Sequence, residues 1–122
     1  MKVLAVDDNQ AIVSLIDDIL TSRGHKVETA KDGKTALQKI PVYKPDIVTL
    51  DLMMPGISGY ETLSKIMEMD RNAIVIMLTA NGEDDAVVEC MKLGATGFLT
   101  KPFKPTELMD ALQTAAITAG IE

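Results

Sequence analysis

Apolar residues along the chain follow two alternating rhythms. A short unbroken run, Val3 to Val6, stops abruptly at Asp7-Asp8-Asn9, as a strand buried on both faces does. From Gln10 the spacing changes. Ile12, Leu15, Ile16 and Ile19 recur at the helical interval, with Asn9 placed to cap the helix and Gly24 placed to end it. The pair of rhythms then repeats. Lys26 to Ala30 predicts a short strand, and Asp32 caps a helix carrying Ala36, Leu37 and Ile40. Ile47 to Leu50 is a third strand ending at Asp51. A Pro55-Gly56 turn leads into a helix with Leu63, Ile66 and Met67. Ala73 to Leu78 is the strongest strand of the chain and ends at Thr79. A helix with Val87, Cys90 and Met91 closes at Gly94, and a last strand runs from Gly97 to Thr100. Lys101-Pro102 forces a break before a final helix carrying Leu108, Ala111, Leu112 and Ala115.

Five strand-then-helix units with short connections predict one α/β domain over residues 1–122: a doubly wound, flavodoxin-like parallel sheet with five helices on its two faces. Of the two common orders for such sheets, 2-1-3-4-5 fits five strands. Length and composition agree. The 122 residues are 47% hydrophobic and 25% charged, enough for one core without staples. One cysteine, Cys90, excludes a disulfide framework and points to a reducing, cytoplasmic setting. A net charge of −6 with no Trp argues against nucleic-acid binding, and no apolar run is long enough to enter a membrane.

The chemistry lies where the strands end. Ligands of open α/β sheets bind outside the carboxyl ends of the strands. There the chain places Asp7 and Asp8 after strand one, Asp51 after strand three, Thr79 after strand four and Lys101 after strand five. In the 2-1-3-4-5 order Asp51 is central. Converging carboxylates repel unless a cation sits among them, and an oxygen-only ligand set suits Mg²⁺. A carboxylate beside Mg²⁺ and a lysine is equipped for phosphoryl transfer, with ionised Asp51 as nucleophile and the cations neutralising phosphoryl oxygens. No histidine base is required, because a carboxylate is already ionised near pH 7.

These residues resemble a known family, the receiver domain of two-component response regulators, and within it the single-domain chemotaxis type. The likeness rests on Val6-Asp7-Asp8, Asp46-Ile47-Val48 leading to Asp51, Met54-Pro55-Gly56 with Gly59, Leu78-Thr79-Ala80, Gly94-Ala95 and Lys101-Pro102-Phe103, in that order from Val3 to about Ala116. The resemblance implies Asp51 as phosphoacceptor, Asp8 as direct Mg²⁺ ligand, Asp7 as a ligand through water and Met53 as a backbone-carbonyl ligand. It implies that Thr79 and Lys101 contact the phosphoryl group and that the Lys101-Pro102 peptide is cis. Thr79 and Phe98 become the switch pair, with Phe98 lacking a tyrosine hydroxyl and so limited to packing. Met53 and Asn81 become the side chains that tune hydrolysis of the acyl phosphate.

As partners, the resemblance implies a sensor histidine kinase and a downstream protein such as a flagellar motor switch or an effector domain, reached through helix four, strand five and helix five, from about Glu83 to Ala116. The same surface would carry any phosphorylation-dependent homodimer. The chain is then a phosphoacceptor rather than an enzyme, apart from promoting its own phosphorylation and dephosphorylation. The alternatives are the receiver of a longer transcriptional or enzymatic regulator, and a small aspartate-nucleophile phosphohydrolase. The latter would need a second acid two residues after the nucleophile, where this chain has Met53.

Taken singly, each residue has a plainer reading. Asp7 and Asp8 can be capping acids, Asp51 a turn carboxylate, Thr79 a β-branched strand end and Lys101 a solvated amine. Cys90, Met67, Met91 and Met109 read as core, and His25 as solvated. Phe98 fits ordinary core as well as a switch.

Overall fold

The structure is a computed structural model that describes residues 1–80 and 84–120. Five strands, β1 (Lys2–Val6), β2 (Lys26–Ala30), β3 (Ile47–Asp51), β4 (Val75–Ala80) and β5 (Gly97–Lys101), form one parallel sheet in the order β2-β1-β3-β4-β5. They alternate with α1 (Gln10–Thr21), α2 (Gly33–Tyr43), α3 (Gly59–Met69), α4 (Asp84–Lys92) and α5 (Pro105–Ala119). No helix among the described residues is long and apolar enough to cross a membrane.

Strand pleating sorts the apolar side chains into two cores. Val3, Ala5, Ile47, Ile76, Leu78 and Leu99 face α1 and α5, where Ile16, Leu20, Leu108 and Leu112 meet them. Leu4, Val6, Val48, Leu50, Val75 and Met77 face α2, α3 and α4, against Ala36, Leu63, Ile66 and Cys90. The inner strands are apolar on consecutive positions for this reason. The edge strand β2 alternates exposed and half-buried positions. Its outer side is guarded: Lys39 Nζ donates to the Thr29 carbonyl at 2.6 Å and pairs with Glu28 at 3.1 Å.

The helix signals act through specific bonds. The Asn9 side chain accepts from the Ala11 N–H at 3.0 Å, and Asp32 accepts from the Thr35 N–H at 2.7 Å. Helix α2 tolerates Pro41 in its interior and ends at Lys44, whose φ of 52° is left-handed, immediately before Pro45. The fourth strand begins at Val75 rather than at Ala73. Ala73 instead closes a turn, its N–H donating to the Asp70 carbonyl at 3.1 Å. Cys90 is core, as expected, at 1% exposed. Met91 is not. It is 44% exposed, because Cys90 takes the inward position of α4 and the neighbouring residue turns outward. His25 is half-buried, with Nδ1 3.1 Å from the Met1 amine, and burial followed by the nearby amine charge pulls its pKa down.

Two positions yield stability predictions. Thr49, at the centre of the sheet on the α1–α5 side, is fully buried, and its hydroxyl is without a hydrogen-bond partner among the described residues. Thr49→Val should therefore stabilise the fold by about 1 kcal/mol in urea unfolding, since it deletes an unpaired polar group at nearly constant shape. Gly59, at the start of α3, packs against the backbone just after β3. A Cβ there would lie 2.6 Å from the Asp51 carbonyl oxygen and the Leu52 Cα. Gly59→Ala should cost about 2 kcal/mol by the same assay, because backbone must move to admit it.

Candidate functional site

The carboxyl ends of the strands assemble the site. Asp7 directly follows β1, and its chain path is fixed by its own N–H donating to the Ala30 carbonyl of β2 at 3.1 Å. Asp7 Oδ1 accepts the Asn9 N–H at 2.9 Å, so the residue that caps α1 also orients the acid before it. Asp51 is the last residue of β3, opposite Leu78 of β4. Lys101 is the last residue of β5, opposite Ala80, and the Lys101-Pro102 peptide is cis. Inclusion of Lys101 in the strand extends β5 one residue beyond its expected end.

From there the lysine reaches across β4. Its Nζ lies 2.7 Å from Asp7 Oδ2 and 3.1 Å from Asp51 Oδ1. Asp7 is 1% exposed and Asp51 7%, while Asp8 is exposed on the rim. Burial first, and then the charge of Asp7, push the Asp51 carboxyl up to about 6, against the pull of Lys101 and a backbone hydrogen bond from Met53. Burial alone would lower the Lys101 pKa, but its bonds to Asp7 and Asp51 outweigh that and raise it, so the amine stays charged.

Asp7, Asp8 and Asp51 each offer an oxygen within 4.8 Å of the others, a cluster able to hold a metal ion. The chemistry fits a hard divalent ion. Three carboxylates facing one ammonium leave two negative charges uncancelled, every side-chain donor is oxygen, and burial and then the Asp7 charge already push Asp51 towards protonation, which a cation there would oppose.

The remaining expected residues lie around this centre. Thr79 sits near the end of β4, 2% exposed, in register with Thr100 of β5. The Met53 side chain is 71% exposed beside Asp51. Phe98 lies outside the acid cluster, on β5, half exposed and lining a cavity of about 380 Å³ with Met91, Ala111 and Thr114. Its ordinary-core reading is thereby corrected, because β5 is an edge strand with one flank open between α4 and α5. Asn81 and Glu83 lie outside the described residues. Sequence reasoning missed the double reach of Lys101 and the Met53 N–H aimed at Asp51. Only the order β3-β4-β5, which puts Lys101 two strands from Asp51, hinted at the first.

Fold and site together define a phosphoacceptor signalling domain. The chain belongs to the response regulator receiver domain family, whose profile matches residues 3–113. It is 39% identical over 112 residues to the chemotaxis protein CheY of Thermotoga maritima, an alignment covering 91% of this chain and 93% of that protein. It is equally 39% identical over 107 residues to the alkaline phosphatase synthesis transcriptional regulatory protein PhoP of Bacillus subtilis, covering 88% of this chain and 45% of that one. NtrX from Brucella abortus matches in structure with a TM-score of 0.94 at 31% identity, over 98% of this chain and 27% of that chain.

Proposed function

We infer that the chain is a chemotaxis-type response regulator domain, phosphorylated on Asp51 by a histidine kinase and read by a downstream protein. The observation that carries this reading is the bridge from Lys101 Nζ to both Asp7 and Asp51 at the carboxyl edge of the sheet. An Asp51 carboxylate oxygen attacks the phosphorus of a phosphohistidine. The O–P bond forms as the P–N bond breaks, and the imidazole leaves with the electron pair. In this reading Lys101 follows the new negative charge from carboxylate to phosphoryl oxygen, and Thr79 donates its hydroxyl to the same group.

Asp8, Asp51 and the Met53 carbonyl would hold Mg²⁺ directly and Asp7 through water, and the ion would supply charge neutralisation to the phosphoryl oxygens. Once Lys101 and Thr79 engage the phosphoryl group they no longer hold their resting positions. That difference in contacts biases β5, Phe98 and the neighbouring helices between two arrangements. Nearly full-length similarity to CheY supports the chemotaxis reading. Equal identity to part of PhoP supports a second one, a receiver attached to an effector domain.

Intact mass after incubation with Mg²⁺ and a small acyl phosphate tests the acceptor. Wild type should gain one phosphoryl group, only with Mg²⁺, and Asp51→Asn should gain none. A variant that still takes up the group would move the acceptor elsewhere. No adduct on wild type, with no Mg²⁺ binding, would reduce the domain to a phosphorylation-independent binding module.

A further inference from the structure

Outside the acid cluster, the feature of greatest chemical consequence is the side chain of Met53. It is 71% exposed, against 47% for Met69 and 44% for Met91, whereas Met77 is fully buried and Met54 packs against the α2–α4 core. The described thiol, Cys90, is 1% exposed and shielded from solutes. Met53 is also tied to the site, because its backbone hydrogen bond goes to the Asp51 carboxyl group. The most accessible oxidisable sulfur thus sits next to the residue whose acyl phosphate must meet water to decay.

We propose that Met53 is a site of reversible oxidation by peroxide, and that oxidation there shortens the life of phosphorylated Asp51. The second half rests on Asp51 being the phosphoacceptor. In the oxidation, the thioether sulfur attacks one peroxide oxygen. An S–O bond forms, the O–O bond breaks, sulfur loses two electrons, and the other oxygen leaves as water after taking the proton of the transferred one. Thiol-dependent sulfoxide reductases reverse the change.

The consequence follows from hydrogen bonding. Asp7, Asp51 and Leu52 are buried, whereas Met53, whose backbone bonds the Asp51 carboxyl group, is exposed, so on this proposal water reaches the phosphoryl group past the Met53 side chain. A thioether is a weak acceptor and leaves that water unoriented. A sulfoxide oxygen is a strong acceptor and holds it for attack on phosphorus. One such hydrogen bond corresponds to roughly a fivefold faster decay.

The test uses the full chain, treated briefly with hydrogen peroxide and mapped by peptide mass before phosphorylation with an acyl phosphate. Met53 should gain its oxygen atom before Met69 and Met91, and the oxidised protein should lose its phosphoryl group several-fold faster than the untreated protein. Met53→Leu should show no peroxide-dependent change from its own baseline. Met53→Gln, which supplies a fixed amide oxygen, should decay faster than Met53→Leu.

Earlier oxidation of Met69 or Met91 would overturn the assignment of the site. Unchanged decay after oxidation at Met53, or the same acceleration in Met53→Leu, would overturn the consequence. Equal decay of the Gln and Leu variants would overturn the hydrogen-bond explanation. If untreated wild type takes up no phosphoryl group, the reading of Asp51 fails and the consequence with it, while the order of oxidation is still read from the peptides.

Discussion

Lys101→Met should lower the stability of the metal-free protein by about 3 kcal/mol near pH 7, a large effect for one residue that keeps 24% of its side chain exposed. The cost comes less from the lost ion pairs than from what remains behind. Asp7 is 1% exposed and Asp51 7%, so removing the amine leaves buried carboxylates facing each other. The penalty should depend on pH. Lys101 has its pKa raised, so its stabilising charge is present throughout the range below the ordinary lysine value and does not itself titrate near neutrality. Asp51 does titrate there, at about 6 with the lysine in place and higher without it. As the pH falls from that higher value towards 6, Asp51 takes up a proton in the variant before it does so in the wild type, the repulsion disappears, and the penalty should shrink. Urea unfolding of wild type and variant at pH 7.5 and pH 5 checks both points. A penalty that stays constant or grows at the lower pH would show that repulsion between the carboxylates is not its source.

This coupling marks the boundary of what is legible in the sequence. The fold is legible because burial on both faces leaves a direct trace: strands such as Val3–Val6 and Ile47–Leu50 are apolar at every position but Thr49, and the helices between them change the period. The site is legible for a topological reason, since parallel strands bring Asp7, Asp51, Thr79 and Lys101 to one edge whatever their separation in sequence. Side-chain direction is less accessible. Met91 looks like core by its spacing and turns outward, because the inward face of α4 is carried by Ala86 and Cys90, one helical turn apart. Phe98 depends on whether β5 is covered on both flanks, which no local pattern encodes. The pairing of Lys101 with two acids depends on a long flexible side chain crossing a strand, and residue spacing does not report that.

Asp51→Asn should make the metal-free protein more stable at pH 7, the opposite of the usual result of altering a buried functional residue. An acid whose pKa is raised from the ordinary value to about 6 binds more protons folded than unfolded between those two values. Stability therefore falls as the pH climbs through that window. The cost is complete above about 6 and absent below about 4. The Asp51 side chain keeps 10% of its surface open to solvent, and after discounting for screening the relief expected from the neutral amide is about 1–2 kcal/mol. At pH 4 the two proteins should unfold at nearly the same urea concentration. Mg²⁺ should reverse their order at pH 7. A ligand at one hundred times its Kd stabilises the state that binds it by about 2.7 kcal/mol. Wild type presents Asp7, Asp8 and Asp51 to the ion, whereas the variant has lost one carboxylate and binds more weakly. Titration of both proteins with Mg²⁺, followed by thermal unfolding, should show the wild-type curve rising past that of the variant. Two curves that stay parallel would mean that the acid cluster is balanced by Lys101 alone and that the strain on Asp51 serves no cation.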